Sequence, residues 1–222
     1  MIKENVASIL SSIPKGILLV AASKTRTPDE VAQAIEAGIS ILGYNYVQEA
    51  EQMHRVIGNA VRWHLIGHLQ SNKAKRAVDI FDMIETIDSL KIAKKVDRLC
   101  SEAGKIMPVL VEINSGKESN KTGVLPKDVD ELIWEISDLL NLRVQGLMTM
   151  GPRFGNPEDA RPYFRATKSA FDRLGQAGIP NVEMRYLSMG MSNSYQIAIE
   201  EGANIVRIGT KLFGERCTIK GN

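Results

Sequence analysis

Lys24 closes the first apolar run of the chain, Ile17-Leu18-Leu19-Val20-Ala21-Ala22-Ser23-Lys24-Thr25. An ammonium taken out of water is costly, so a lysine beside buried apolar surface is pushed toward its neutral amine, the form that attacks carbonyls and makes Schiff bases. The same placement suits a lysine that buries its stem and keeps its head in water. Two other segments bear on that choice. Ser188-Met189-Gly190-Met191-Ser192 and Gly209-Thr210 each set small residues and hydroxyls before a helix start. Free backbone N–H groups and the helix dipole there attract an anion, with phosphate the natural ligand, although glycines in such loops also serve tight turns. Arg207, in Ile205-Val206-Arg207-Ile208-Gly209, alternates to the face opposite Val206 and Ile208. Its guanidinium needs an acceptor, either a carboxylate such as Glu112 or Glu183 or a ligand. His68 reads as a rim histidine or a base, whereas His54 and His64 have no metal-like spacing with any partner.

Short apolar runs alternate with amphipathic stretches along the whole sequence, and this is the arrangement that must position those residues. The strands expected are 17–22, 39–42, 62–66, 82–87, 108–113, 142–148, 182–187 and 204–208. Helices are expected to start near Pro28, Asn45, Ser71, Ser89, Pro126, Pro157, Ser192 and Thr210, after an opening helix carrying Ile2, Val6, Ile9, Leu10 and Ile13. Thr27-Pro28-Asp29-Glu30 and Asn156-Pro157-Glu158-Asp159 combine a capping residue, a first-turn proline and acids. Eight βα units predict a (β/α)8 barrel as one domain over 1–222, with a doubly wound open sheet as the alternative. In a barrel, Lys24, Asn45, His68, Asn114, Ser115, Ser188, Gly209 and Thr210 share one rim with Arg207 close by.

Composition narrows the function classes. Twenty-eight basic against twenty-six acidic residues give a net charge of +2, which supplies no general field for nucleic acid or anionic lipid. The basic run Lys73-Ala74-Lys75-Arg76 fits a solvated helix face. No apolar run is long enough to span a bilayer, and the opening helix is broken by Lys3, Glu4 and Asn5 as no secretory signal would be. Cys100 and Cys217, distant in sequence, read as two free thiols of a cytoplasmic protein.

Taken together, Ala22-Ser23-Lys24-Thr25, Gly43-Tyr44-Asn45-Tyr46-Val47-Gln48-Glu49, Trp63 to Lys73, Gly146-Leu147-Met148-Thr149, Leu187 to Ser192 and Val206 to Thr210 resemble the YggS/PROSC family. These are pyridoxal phosphate homeostasis proteins, similar to the barrel domain of alanine racemase. The resemblance covers nearly the whole chain, from the opening helix to Phe213-Gly214. It implies pyridoxal 5'-phosphate (PLP) as cofactor, held by Lys24 as an internal aldimine. It further implies that Ser188, Gly209 and Thr210 help hold the phosphate, that Asn45 lies by the ring, and that Arg207 faces the pyridine nitrogen. An arginine there disfavours protonation of that nitrogen and leaves the ring a weak electron sink. Tyr44 stands where the family commonly has glutamate in G-E-N-Y, and Ser194 where it often has an acid.

Racemisation needs two opposed proton-transfer groups, and in alanine racemase the second is a tyrosine from outside the barrel. The sequence ends at Asn222, directly after the eighth unit, and nothing in it places Tyr46, Tyr163 or Tyr195 in that role. The expected function is therefore PLP binding and delivery to PLP-dependent apoenzymes within vitamin B6 homeostasis, by a monomer. The alternatives are a low-activity racemase or decarboxylase of the same fold, and a Schiff-base aldolase acting on a sugar phosphate without PLP.

Overall fold

The computed structural model describes residues 1–116, 122–152 and 155–215. Cys217 and parts of the loops after the fifth and sixth strands lie outside those residues. Eight parallel strands close in sequence order into a barrel, so the open-sheet alternative is set aside. They are β1 (Leu18–Ala22), β2 (Ile41–Tyr44), β3 (Arg62–Leu65), β4 (Met83–Ile87), β5 (Met107–Ile113), β6 (Leu142–Thr149), β7 (Val182–Ser188) and β8 (Ile205–Ile208). The second strand lies two residues later than the sequence pattern places it. Ile39 and Ser40 carry the apolar turn into the strand, and Gly43 and Tyr44 complete the pairing with β3.

The helices are α1 (Ile2–Ser12), α2 (Pro28–Glu36), α3 (Val47–Ile57), α4 (Ala74–Ile80), α5 (Leu90–Glu102), α6 (Val129–Ser137), α7 (Arg161–Gln176), α8 (Tyr195–Glu200) and α9 (Thr210–Phe213). The start of α2 carries a full capping box: Thr27 Oγ1 accepts from the Glu30 amide, and the Glu30 carboxylate accepts from the Thr27 amide. Asn156 and Asp159 form the same reciprocal cap on the short turn that leads into α7. The opening helix packs on α2 and α9, where Asn5 Nδ2 donates to the Leu212 carbonyl at 3.1 Å.

Strand alternation sorts the core into two compartments. Outward side chains such as Leu42, Trp63, Leu65, Val111, Leu147 and Val206 meet the helices. Inward ones, Val20, Ile41, Ile66, Met83, Leu110, Met148 and Ile205, fill the barrel. Arg207 follows Ile205 by two positions and so points inward, as its alternation predicts. The closure pairs Val20 with Arg207 and Ala21 with Ile208, which brings the two ends of the sequence motif set onto adjacent strands.

Candidate functional site

Lys24 follows β1 by two residues, in phase with Val20 and Ala22 of the barrel interior, and is half-buried on the rim. The residue after it, Thr25, holds a left-handed backbone at φ 64°, rare for a β-branched side chain. Arg26 then straps this turn to the far end of the chain. Its guanidinium, 8% exposed, pairs with Glu30 at 3.1 Å and donates to the carbonyls of Phe213 and Gly214. It also lies 5.3 Å from the centre of the Phe213 ring. The lysine turn and α9 are thus held by one side chain.

At β8, Gly209 N donates to Ser192 Oγ at 3.2 Å and Lys211 N approaches the same oxygen at 3.5 Å. A Cβ on Gly209 would come within 3.1 Å of the Ala22 carbonyl, so the turn runs tight against the end of β1. Thr210 is exposed at the start of α9. Asn45 is half-buried after β2, and a Cβ on Gly67 would fall 2.3 Å from the Asn45 carbonyl oxygen. That close approach explains the glycine in Ile66-Gly67-His68. The structure therefore gathers Lys24, Asn45, Gly209 and Thr210 on one rim.

Ser188 is the last residue of β7, at the same end of the barrel, with its side chain turned into the interior. It is fully buried and donates its hydroxyl to Glu85 Oε2 at 2.6 Å, while its oxygen accepts from Arg207 Nη1 at 2.5 Å. A hydroxyl has one proton, so its donor is spent on Glu85. The hydroxyl presented to the Gly209–Thr210 turn belongs to Ser192, four residues on.

Arg207 is 3% exposed, and its Nη2 donates to the Thr149 carbonyl at 2.8 Å. The carboxylate nearest to it is Glu85, at 3.9 Å. Of the two carboxylates expected from the sequence, Glu183 is exposed on β7 and takes no part; Glu112 acts on Arg207 through its charge alone. Glu85 is the residue that the sequence reading missed: it sits in Ile84-Glu85-Thr86, where inward phase was the available signal. Burial pushes its carboxyl upward, but the His64 ring at 2.7 Å, Arg207 and Ser188 together hold it below the usual carboxylate range. The ionised carboxylate makes His64 Nδ1 a donor. Burial pulls Arg207 below the ordinary guanidinium range, against the charges of Glu85 and Glu112.

His68 Nδ1 lies 3.1 Å from Asp88 on the rim, with the imidazole 48% exposed. His54 contacts Asn59, and no metal-binding group of three or more side chains occurs among the described residues. Tyr46 is 62% exposed, and Tyr195 is buried beneath Lys211.

The closed barrel and its lysine-bearing rim define a barrel of the alanine racemase type. The family model described as alanine racemase, N-terminal domain, matches residues 1–217. Alanine racemase of Clostridium difficile 630 superposes with a TM-score of 0.79 at 17% identity, over 98% of this chain and 60% of that one, a likeness of fold. The chain belongs to the pyridoxal phosphate homeostasis protein family: it is 40% identical over 199 residues to the member from Aquifex aeolicus, covering 89% of this chain and 86% of the relative. The member from Schizosaccharomyces pombe is 36% identical over 93% of this chain and 87% of its own length. PipY of Synechococcus elongatus, solved with PLP bound, has a TM-score of 0.89 at 33% identity, over 96% of this chain and all of that one.

Proposed function

We propose that this chain binds pyridoxal 5'-phosphate through Lys24 and serves intracellular PLP homeostasis, releasing the cofactor to PLP-dependent apoenzymes. The carrying observation is the placement of three unlike groups at one barrel mouth: the Lys24 amine, the donor cluster around Ser192, and the buried guanidinium of Arg207. The donor set suits an aldehyde, a phosphate and a ring nitrogen acceptor. When bound, the cofactor supplies an aldehyde that condenses with an amine and releases water. Lys24 would hold it, and the Gly209 and Thr210 turn with Ser192 would take the phosphate. Asn45 would flank the ring, and Arg207 would meet the ring nitrogen. Ser188 would act through Arg207. The reading places the protein in the cytoplasm; no helix among the described residues is long and apolar enough to cross a membrane. The reading includes a monomer as the working form.

Adding PLP to the purified protein is expected to give a visible absorption band, and borohydride should fix the cofactor on Lys24. Mass mapping of the reduced adduct to another lysine, or no adduct, overturns the assignment.

The exposed His68–Asp88 pair is the one rim feature favouring weak racemase or decarboxylase chemistry, because it offers a second proton-transfer group. That reading requires turnover in an amino-acid panel that disappears in Lys24→Ala.

A further inference from the structure

Three irregularities meet in one place. Among the described residues only two buried side-chain polar atoms lack a hydrogen-bond partner, Tyr44 Oη and Glu49 Oε2. Both residues line one cleft of about 280 Å³ on the outer side of the barrel, between the start of α2 and the body of α3. Thr25 lines it too, and is one of two non-glycine residues with positive φ among the described residues. Leaving a buried polar group unpaired destabilises the fold, and so does a strained backbone torsion. Such costs are retained together where a ligand repays them.

The chemistry of the cleft restricts the ligand. Burial, then the nearby charge of Glu49, raises the Tyr44 phenol well above its ordinary range, so it stays neutral and able to donate or accept. The Ser23 hydroxyl is near enough to the phenol to counter this in part, but it donates to the Ala21 carbonyl and forms no geometrically sound bond with Tyr44 Oη. Glu49 Oε2 can only accept. The cation lining the cleft, Arg26, is committed to Glu30 and to the carbonyls of Phe213 and Gly214. Gln52 adds only a neutral amide, so the positive charge that would meet Glu49 must come from the ligand, and the rest of the wall includes Pro28 and the buried Met53.

We infer that this cleft is a binding site for a small primary ammonium compound, whose –NH3+ bonds Glu49 Oε2 and Tyr44 Oη while its apolar tail lies on Pro28 and Met53. The site stands apart from the cofactor reading, since it lies on the outer face of the barrel. It touches the lysine turn at Thr25, so its occupancy bears on the setting of Lys24.

The test uses the full chain freed of PLP, a state in which the relative PipY has also been solved. Butylammonium chloride is titrated against 15N-labelled protein, with tetramethylammonium chloride, which has no N–H, at equal ionic strength. Saturable shifts at Thr25, Tyr44 and Glu49 with butylammonium alone are expected. Glu49→Gln and Tyr44→Phe should each weaken binding about tenfold, the scale of a charge-assisted hydrogen bond. Thermal melts of both variants control for folding. Absence of saturable shifts, meaning that only solvent enters the cleft, overturns the inference. Equal shifts with tetramethylammonium, or undiminished binding by both variants, overturn it as well.

Discussion

Glu85 and Glu112 project from neighbouring strands into the same barrel, are both buried, and feel the same guanidinium, yet their carboxyls move in opposite directions. Burial is the largest influence on each and raises both. Glu85 overcomes it because His64, Ser188 and Arg207 surround it at 2.7, 2.6 and 3.9 Å. Glu112 has the Thr122 hydroxyl, 3.1 Å from both its oxygens, and Asp88 adds a like charge; Arg207 and His68 act only at a distance. Its carboxyl stays above the usual range. Burial alone does not decide the charge of an interior acid; the number of donors that reach it does.

Removing the better-supported acid should have the largest effect. Glu85→Ala leaves Arg207 and His64 without their buried partner and is expected to cost about 3–5 kcal/mol in denaturant unfolding. An unchanged midpoint would mean that Glu85 carries no charge in the fold. Ser188→Ala removes a donor to Glu85 and an acceptor from Arg207 at once, for roughly 1–3 kcal/mol.

Acid dependence then separates the two carboxylates by sign. A lowered folded-state value means that the contribution of Glu85 is complete above the unfolded carboxyl near 4.3 and fades as pH falls through the folded value. The stability gap between the parent and Glu85→Gln should accordingly close on acidification. Glu112, raised, is a liability at neutral pH that disappears below about 4.3, when both states are protonated. Glu112→Gln should gain up to about 1 kcal/mol at pH 7 and nothing at pH 3, by thermal melts across that range. Loss of stability at pH 7 would erase the contrast. Thr122→Val is the smallest perturbation: it withdraws the hydroxyl of Glu112, and 13C NMR should show the carboxyl titrating higher still.

The barrel was legible because its strands are apolar runs of strand length set apart by capped helices, and alternation alone turned Arg207 inward. The lysine at the end of β1 and the turn at Gly209-Thr210 were legible for the same reason, since both stand immediately after a strand. Partner choice was not. Nothing local in Ile84-Glu85-Thr86 distinguishes an acid bonded to Ser188, 103 positions away, from one that faces solvent. Ser188 ends β7 and Ser192 stands four residues on, and only the fold decides which hydroxyl turns inward. The cleft beside Thr25 depends on a backbone torsion and on the failure of two groups to pair, neither of which composition or periodicity records.

The pairing of β1 with β8 carries a consequence for the order of events at the ribosome. Lys24 emerges among the first residues, but the strand that closes the barrel beside it, and the turn that would take a phosphate, emerge some 180 residues later. At the about 5–20 residues per second of synthesis, Lys24 waits on the order of ten seconds or more before β8 is made. A nascent chain therefore carries Lys24 long before the strand and the turn that flank it exist, and Arg26 can clasp Phe213 and Gly214 only once they have been made.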